Sequence, residues 1–214
     1  MKINYLFSGL DKVNGFTSKQ KELLKKDIKE KSNITFIASS FNNPERNDMK
    51  HKELVKMFND INIKFNNIYL IDEIVNSNKA KELINNSDII FLMGGDPKSE
   101  MDSLIEYDLI NVIKNMEGII IGVSAGSMNQ TTNVIYKDEI DNSILVKYKG
   151  LGFFDTNIYP HVDINNKDYL QEIFEVSKYE KILCLPENSF IRIENDNINI
   201  YGDYYYIEYN SNNL

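Results

Sequence analysis

The chain has 214 residues, of which 42% are hydrophobic and 26% are charged, a balance that favours one folded domain and excludes a disordered chain. Its 24 basic and 32 acidic residues give a net charge of −8, which disfavours nucleic acid and anionic membrane surfaces as partners. The single cysteine, Cys184, excludes an internal disulfide and multi-cysteine metal sites.

Short apolar runs alternate with amphipathic stretches in the first part of the chain, as in parallel strands joined by crossover helices. In chain order the pattern predicts a strand over Ile3–Ser8, a helix over Ser18–Lys31, a strand over Asn33–Ser39, a helix over Met49–Ile61, a strand over Ile68–Ile71 and a helix over Lys79–Asn85. Asp88–Met93 and Gly118–Ile121 are apolar on both faces, which is typical of central parallel strands.

The pattern is looser after residue 140. There the sequence predicts a strand over Thr156–Tyr159, a helix over Lys167–Tyr179, a strand over Lys181–Leu185, a hairpin of Phe190–Ile193 with Ile198–Tyr201, and a strand over Tyr204–Tyr209. We therefore expect an α/β fold in a single domain, residues 1–214, with a mostly parallel central sheet, helices on both faces and a C-terminal β-hairpin.

The prediction of the cellular location depends on the lengths of the apolar runs. No stretch approaches the about 18 apolar residues that cross a bilayer, and the first run is too short for a signal peptide. Together with the single cysteine, this predicts a cytoplasmic protein with no membrane partner.

The most informative motif is Gly122-Val123-Ser124-Ala125-Gly126, a G-x-S-x-G pattern directly after an apolar strand. A nucleophile elbow needs small neighbours because the turn at the serine is sharp, and it presents the hydroxyl at the carboxyl edge of the sheet. The pattern makes Ser124 a candidate nucleophile and the backbone N–H of Ala125 a candidate oxyanion donor. A plain glycine-rich turn with an idle serine is the alternative.

A second glycine pair, Gly94-Gly95, ends the preceding apolar strand. Glycines there let the backbone approach a ligand, and their N–H groups can complete an oxyanion hole, although a Gly-Gly turn without function fits equally. Asp96 is expected to cap the helix that follows.

A serine nucleophile needs a base, and the chain has two histidines. His51 lies in a charged helix and is expected to be exposed and idle. His161 follows Tyr159-Pro160 at the end of a strand, where the proline fixes the direction in which the chain leaves. His161 is therefore the candidate base.

Several carboxylates could orient that imidazole, and the residues alone leave the choice open. Glu187 follows the apolar strand that ends at Leu185, Asp138 and Glu139 lie downstream of Ser124, and Asp163 is close to His161. Cys184 is expected to be a buried, unreactive thiol. Phosphate-loop, dinucleotide-binding and His-Glu-x-x-His motifs are absent, so we expect no cofactor and no metal.

The motifs together resemble the dipeptidase E family of serine peptidases, whose relatives include the cyanophycinases. The resemblance rests on four segments in order: Met93-Gly94-Gly95-Asp96, Gly122 to Ser127, Tyr159-Pro160-His161 and Leu185-Pro186-Glu187-Asn188. It covers roughly residues 85–195 and implies a fold related to the class I glutamine amidotransferases, whose elbow carries cysteine.

The resemblance implies Ser124 as nucleophile, His161 as general base and then acid, and Glu187 as the orienting carboxylate on the same sheet edge, with oxyanion donors from Gly94, Gly95 and Ala125. Glu139 or Asp138 is the alternative third member. The implied activity is hydrolysis of small peptides, best known for those with an amino-terminal aspartate. A pocket for aspartate should contain a cation, from Arg192, Lys98 or another lysine.

Two rivals remain at this stage. One keeps the serine and changes the substrate, as an esterase or a hydrolase of isoaspartyl or branched peptides. The other is a non-catalytic, flavodoxin-like binding module whose elbow glycines hold an anionic ligand. The sequence does not fix the oligomeric state.

Overall fold

The computed structural model describes residues 2–11, 13–138, 140–141, 143–195 and 197–209. Its strands are β1 (Ile3–Phe7), β2 (Ile34–Ile37), β3 (Ile68–Ile71), β4 (Ile89–Leu92), β5 (Ile119–Val123), β6 (Asn133–Lys137), β7 (Leu145–Lys149), β8 (Asn157–Tyr159), β9 (Ile182–Cys184), β10 (Phe190–Glu194), β11 (Asn197–Tyr201) and β12 (Tyr205–Ile207). Its helices are α1 (Ser18–Asp27), α2 (Pro44–Asp60), α3 (Ser77–Asn85), α4 (Pro97–Glu106), α5 (Ile110–Asn115), α6 (Ala125–Met128) and α7 (Lys167–Ser177).

The largest sheet has seven strands in the order β11-β10-β1-β5-β4-β2-β3. The five strands from β1 to β3 in that order run parallel, and the C-terminal hairpin β10–β11 adds two antiparallel strands beside β1. The expected α/β fold with a mostly parallel sheet is therefore confirmed. The carboxyl ends of β1, β4 and β5 meet at one edge, where Phe7 pairs with Val123 and Leu92 with Gly122.

Helices cover both faces of this sheet because its central strands are apolar on both sides. On one face Phe91 packs with Leu24 of α1 and Phe58 of α2. On the other face Ile90 and Ile120 pack with α3, α4 and α5. Successive residues of β4 thus enter opposite cores, as the two-residue period of a strand requires.

A second sheet has three strands in the order β12-β9-β8, with β8 and β9 parallel. It packs against the large sheet where Ile158 and Leu183 meet Leu6 and Ile191. The expectation that β9 ends on the same sheet edge as the elbow is therefore wrong. Two different sheets bring their strand ends together instead.

Several boundaries differ from the sequence-based expectation. Helix α2 begins at Pro44 and not Met49, because the Asn43 side chain caps it by accepting from the backbone of Arg46 and proline suits a first turn. Helix α1 ends at Asp27, before Lys31. The antiparallel pair β6–β7 was not predicted. Within the ranges described, no helix is both long and apolar enough to cross a membrane.

Candidate active site

Ser124 lies in a strained turn between β5 and α6. Its backbone has φ 53° and ψ −112°, outside the regions that a non-glycine residue favours. Conformations of this kind cost about 1–3 kcal/mol and persist only where the surroundings hold them. Here the backbone N–H of Ser124 donates to the carbonyl oxygen of Phe7 in β1, at 2.9 Å.

The glycines on either side of Ser124 are required by close backbone contacts. A Cβ atom at Gly126 would lie 2.3 Å from the carbonyl oxygen of Leu92, and one at Gly122 would lie 2.4 Å from that of Gly126. Neither contact could be relieved by turning a side chain, because both involve backbone atoms. The G-x-S-x-G pattern is thus explained by the packing of Gly126 against β4 and of Gly122 against Gly126 within the elbow.

Three side chains form a hydrogen-bonded row at this edge. The Nε2 atom of His161 lies 2.9 Å from the Oγ atom of Ser124, and the Nδ1 atom lies 2.5 Å from Oε2 of Glu187. Both distances suit direct hydrogen bonds. When Nδ1 carries the ring proton, it donates to Glu187 and leaves the Nε2 lone pair facing the Ser124 hydroxyl.

His161 and Glu187 meet because they follow the parallel strands β8 and β9, in which Tyr159 pairs with Cys184. Beyond these strands, the backbone N–H of Val162 donates to the carbonyl oxygen of Leu185 at 3.1 Å. His161 itself has a φ of 56°, which turns the chain so that it leaves β8 sharply.

Ser8, at the end of β1, joins the two sheets at this point and was missed in the sequence. Its hydroxyl donates to the carbonyl oxygen of Leu185 and accepts from the backbone N–H of His161, both at 2.7 Å. The residue is fully buried. Its position at a strand end, like that of Ser124, is the only sequence signal that could have indicated it.

Gly94, Gly95 and Ala125 line cavities that Ser124 also lines. A Cβ atom built on Gly94 would lie 3.5 Å from that of Ser124, so the two turns are in close contact. Ala125 begins α6, where backbone N–H groups lack helical partners. Asp96 caps α4 by accepting from the backbone of Ser99, as expected.

The other candidate acids have different surroundings. Asp138 accepts from the backbone N–H groups of Ile140 and Asp141 in the turn after β6, and Asp163 accepts from that of Asn165. Glu139 lies outside the described residues. In the part of the chain that the structure covers, the carboxylate bonded to His161 is that of Glu187.

Two cavities flank the Ser124–His161 pair. The smaller, of about 150 Å³, is lined by aromatic and charged side chains that include Tyr136, Tyr159, Lys137 and Glu172. The larger, of about 440 Å³, is lined among others by Leu54, Lys50, Glu53, Gly94 and Glu187. Each cavity thus presents one lysine beside the serine, together with one glutamate in the smaller cavity and two in the larger.

Neither of the two cations named from the sequence lines these cavities. Arg192 is 4% exposed, and its guanidinium donates to Asp27 at 2.7 Å and to Glu194 at 2.9 Å. Lys98 pairs with Asp102 along α4. The lysines that line the cavities are instead Lys50 and Lys137. Neither lies in a recognisable sequence motif.

The remaining expectations concern His51 and Cys184. His51 is not exposed: its ring lies edge-on to Phe36 at 4.9 Å, both ring nitrogens are buried without a hydrogen-bond partner among the described residues, and burial lowers its pKa. Cys184 is buried as expected, and burial raises the pKa of its thiol to about 12, which keeps it protonated.

Comparison with known proteins identifies the family and the fold. The sequence model that describes peptidase family S51 matches residues 6–201 of this chain. A crystal structure of a peptidase from an acI-B1 Actinobacterium superposes with a TM-score of 0.70 at 16% identity, covering 95% of this chain and 88% of that one. A protein from Listeria monocytogenes EGD-e, provisionally named peptidase E, gives 0.71 at 19% identity, covering 94% and 98%.

No match was found among curated proteins. The two solved structures share the fold at low identity, and the family model spans nearly all of the chain. The resemblance drawn from the motifs is therefore confirmed. This chain belongs to peptidase family S51, the dipeptidase E family of serine peptidases.

Proposed function

We propose that this peptidase hydrolyses short peptides through an acyl-enzyme on Ser124, with His161 as general base and Glu187 as the carboxylate that orients it. One observation carries the proposal: the 2.9 Å separation of Ser124 Oγ from His161 Nε2, continued by the 2.5 Å contact of Nδ1 with Glu187. A hydroxyl, an imidazole and a carboxylate in this order are the parts of a catalytic triad. The imidazole activates the hydroxyl, and the carboxylate stabilises the imidazolium that forms.

In the first step His161 Nε2 takes the hydroxyl proton while Ser124 Oγ bonds to the scissile carbonyl carbon. The carbonyl oxygen becomes an oxyanion and accepts from the N–H groups of Gly95 and Ala125. When the C–N bond breaks, the leaving amine takes the proton from the imidazolium. The product is an ester between the acyl group and Ser124.

In the second step a water gives a proton to His161 and its oxygen bonds to the ester carbon. Collapse of this intermediate breaks the bond to Ser124 Oγ, which recovers the proton from the imidazolium. Glu187 stabilises the imidazolium in both steps and stays ionised.

The size and charge of the cavities support a short substrate with an amino-terminal aspartate. Cavities of about 150 and 440 Å³ on either side of the serine suit a substrate of a few residues and not a long chain. Each contains a lysine, Lys137 in the smaller and Lys50 in the larger, able to attract a carboxylate. Glu172 and Glu53 beside them suit an amino group.

The test is hydrolysis of aspartyl, glutamyl and alanyl p-nitroanilides by the wild type and by Ser124→Ala. We expect kcat to fall by several orders of magnitude in Ser124→Ala. Ser177→Ala is a matched control, because this buried hydroxyl bonds only to the carbonyl of Phe174 among described groups, in α7. Equal hydrolysis by Ser124→Ala and the wild type would contradict the proposal.

The same assay separates the aspartyl preference from its rivals. Lys137→Met and Lys50→Met should reduce the preference for aspartyl over alanyl substrates in whichever cavity holds the side chain. Turnover confined to p-nitrophenyl esters would indicate an esterase, and turnover confined to β-aspartyl peptides would indicate an isoaspartyl hydrolase.

A further inference from the structure

The carbonyl oxygen of Gly94 accepts two side-chain hydrogen bonds. One comes from the Ser39 hydroxyl at 3.0 Å and the other from the Lys50 ammonium at 3.1 Å. Ser39 follows β2, which is the neighbour of β4 in the large sheet, and Lys50 lies on α2. Two elements that contribute nothing to the Ser124–His161–Glu187 row thus converge on one backbone atom beside it.

Fixing this oxygen also fixes the N–H group of Gly95. The two belong to one planar peptide unit, and because that unit is trans, its C=O and N–H groups point in opposite directions. We propose that Ser39 and Lys50 are positioning residues that hold the Gly94–Gly95 peptide with the Gly95 N–H directed at the oxyanion. This inference rests on the function proposed above.

The packing of the turn supports this role. A Cβ atom at Gly95 would lie 2.0 Å from the Ser39 hydroxyl oxygen, so that hydroxyl occupies the space a side chain would need. A Cβ atom at Gly94 would lie 3.3 Å from the carbonyl oxygen of Val123, next to the elbow. The turn therefore lies between Ser39 on one side and Val123, at the end of β5, on the other.

The charge of Lys50 adds a second effect. A cation at a carbonyl oxygen polarises the peptide and makes its N–H group a stronger donor, as in other chains of hydrogen bonds. This matters most when negative charge develops on the substrate oxygen. Loss of Ser39 or Lys50 should therefore lower kcat and leave KM nearly unchanged.

The kinetic test compares Ser39→Ala and Lys50→Met with the wild type on an alanyl p-nitroanilide, which has no carboxylate for Lys50 to bind. We expect kcat to fall about tenfold in each, the Ki of a peptide aldehyde to rise by the same factor, and KM to stay within about twofold. Lys50→Arg should restore part of kcat. Ser177→Ala and Lys52→Met, which changes an exposed lysine of α2, are the matched controls.

A second measurement reports the geometry without catalysis. Gly94-Gly95 is the only pair of adjacent glycines among the 10 in the sequence. Protein labelled with ¹³C-carbonyl and ¹⁵N glycine therefore gives one carbonyl–amide correlation, from this peptide alone. Ser39→Ala and Lys50→Met should shift the Gly94 carbonyl and Gly95 amide signals, and the two controls should not.

Three results would overturn the inference: an unmoved glycine signal, a shifted signal with kcat at the level of the controls, or an increase in KM with kcat unchanged. Absence of hydrolysis in the wild type would instead remove the proposed function. In that case the glycine signal would still decide whether Ser39 and Lys50 hold the peptide.

Discussion

The large sheet and the small sheet supply the candidate site in different ways. The large sheet contributes Ser124, whose flanking glycines Gly122 and Gly126 make backbone contacts too close for any side chain, and the Gly94-Gly95 turn, which lies against Ser39. The small sheet contributes His161 and Glu187, whose side chains are 46% and 49% exposed and are placed by hydrogen bonds. Ser124 is therefore positioned mainly by packing, whereas His161 and Glu187 depend on a few polar contacts where the two sheets meet.

Replacing the carboxylate tests the small sheet most severely. Glu187→Gln keeps the shape of the side chain but removes the charge that stabilises the imidazolium and fixes its tautomer, so kcat should fall by about 10²–10⁴. The measurement is steady-state hydrolysis of an aspartyl p-nitroanilide. Asp138→Asn and Glu139→Gln are the controls, and a larger loss in either would transfer the role of Glu187 to that residue.

Gly9 tests how closely the large sheet approaches Glu187. A Cβ atom there would lie 2.1 Å from Oε1 of Glu187, a flexible side-chain end that can move away. Gly9→Ala should therefore leave the melting temperature nearly unchanged but displace the carboxylate from His161, which lowers kcat by about 10- to 100-fold. If Gly9→Ala has the wild-type kcat, the position of the Glu187 carboxylate does not affect catalysis.

Ser8 tests the contact between the two sheets. Ser8→Ala leaves the backbone N–H of His161 without its acceptor, which should lower the free energy of unfolding by about 1–3 kcal/mol. We expect kcat to fall by about tenfold because His161 is no longer tied to β1. Urea unfolding and hydrolysis rates measure the two effects. Normal values for both would mean that the sheets hold His161 without this contact.

The smallest expected effect on kcat is at Glu100, where the prediction concerns stability. Glu100 of α4 is fully buried and accepts from Asn129 at 2.7 Å, and burial raises its pKa to about 8. Because this folded-state pKa exceeds the unfolded value of 4.5, the stabilisation is complete below about pH 4.5 and is lost as the pH rises toward 8. The free energy of unfolding should fall by at most about 1.4 kcal/mol per pH unit in that interval.

Glu100→Gln removes this titration, so its unfolding free energy should change less between pH 5 and pH 8 than that of the wild type, with kcat unchanged. Urea unfolding at several pH values measures it. Parallel curves for the two proteins would show that Glu100 does not titrate in this interval.

The large sheet could be predicted from the sequence because its strands are apolar on both faces and its functional turns need glycine. Ile89–Leu92 lies within the predicted run Asp88–Met93, and Ile119–Val123 overlaps the predicted run Gly118–Ile121 and extends past it by two residues. The placement of β8 and β9 in a separate sheet could not be predicted, since a short apolar strand gives no sign of its neighbours.

Polar contacts between residues far apart in the sequence also could not be predicted. Ser8 bonds to Leu185 and Lys50 to Gly94 across long stretches of chain, and neither residue lies in a recognisable motif. His51 was predicted to be exposed because its sequence neighbours are charged, yet the ring turns toward Phe36. Ser124 and His161 were predicted from motifs that follow strand ends, whereas Glu187 was selected among several acids by the family resemblance.

The central claim is that His161 activates Ser124 as a nucleophile, and covalent labelling tests it most directly. Intact and peptide mass spectrometry after treatment with a fluorophosphonate should find one adduct, on Ser124, in the wild type. Labelling should be absent in Ser124→Ala and slowed by orders of magnitude in His161→Ala. An unlabelled wild type, an adduct on another serine, or equal labelling rates with and without His161 would contradict the account.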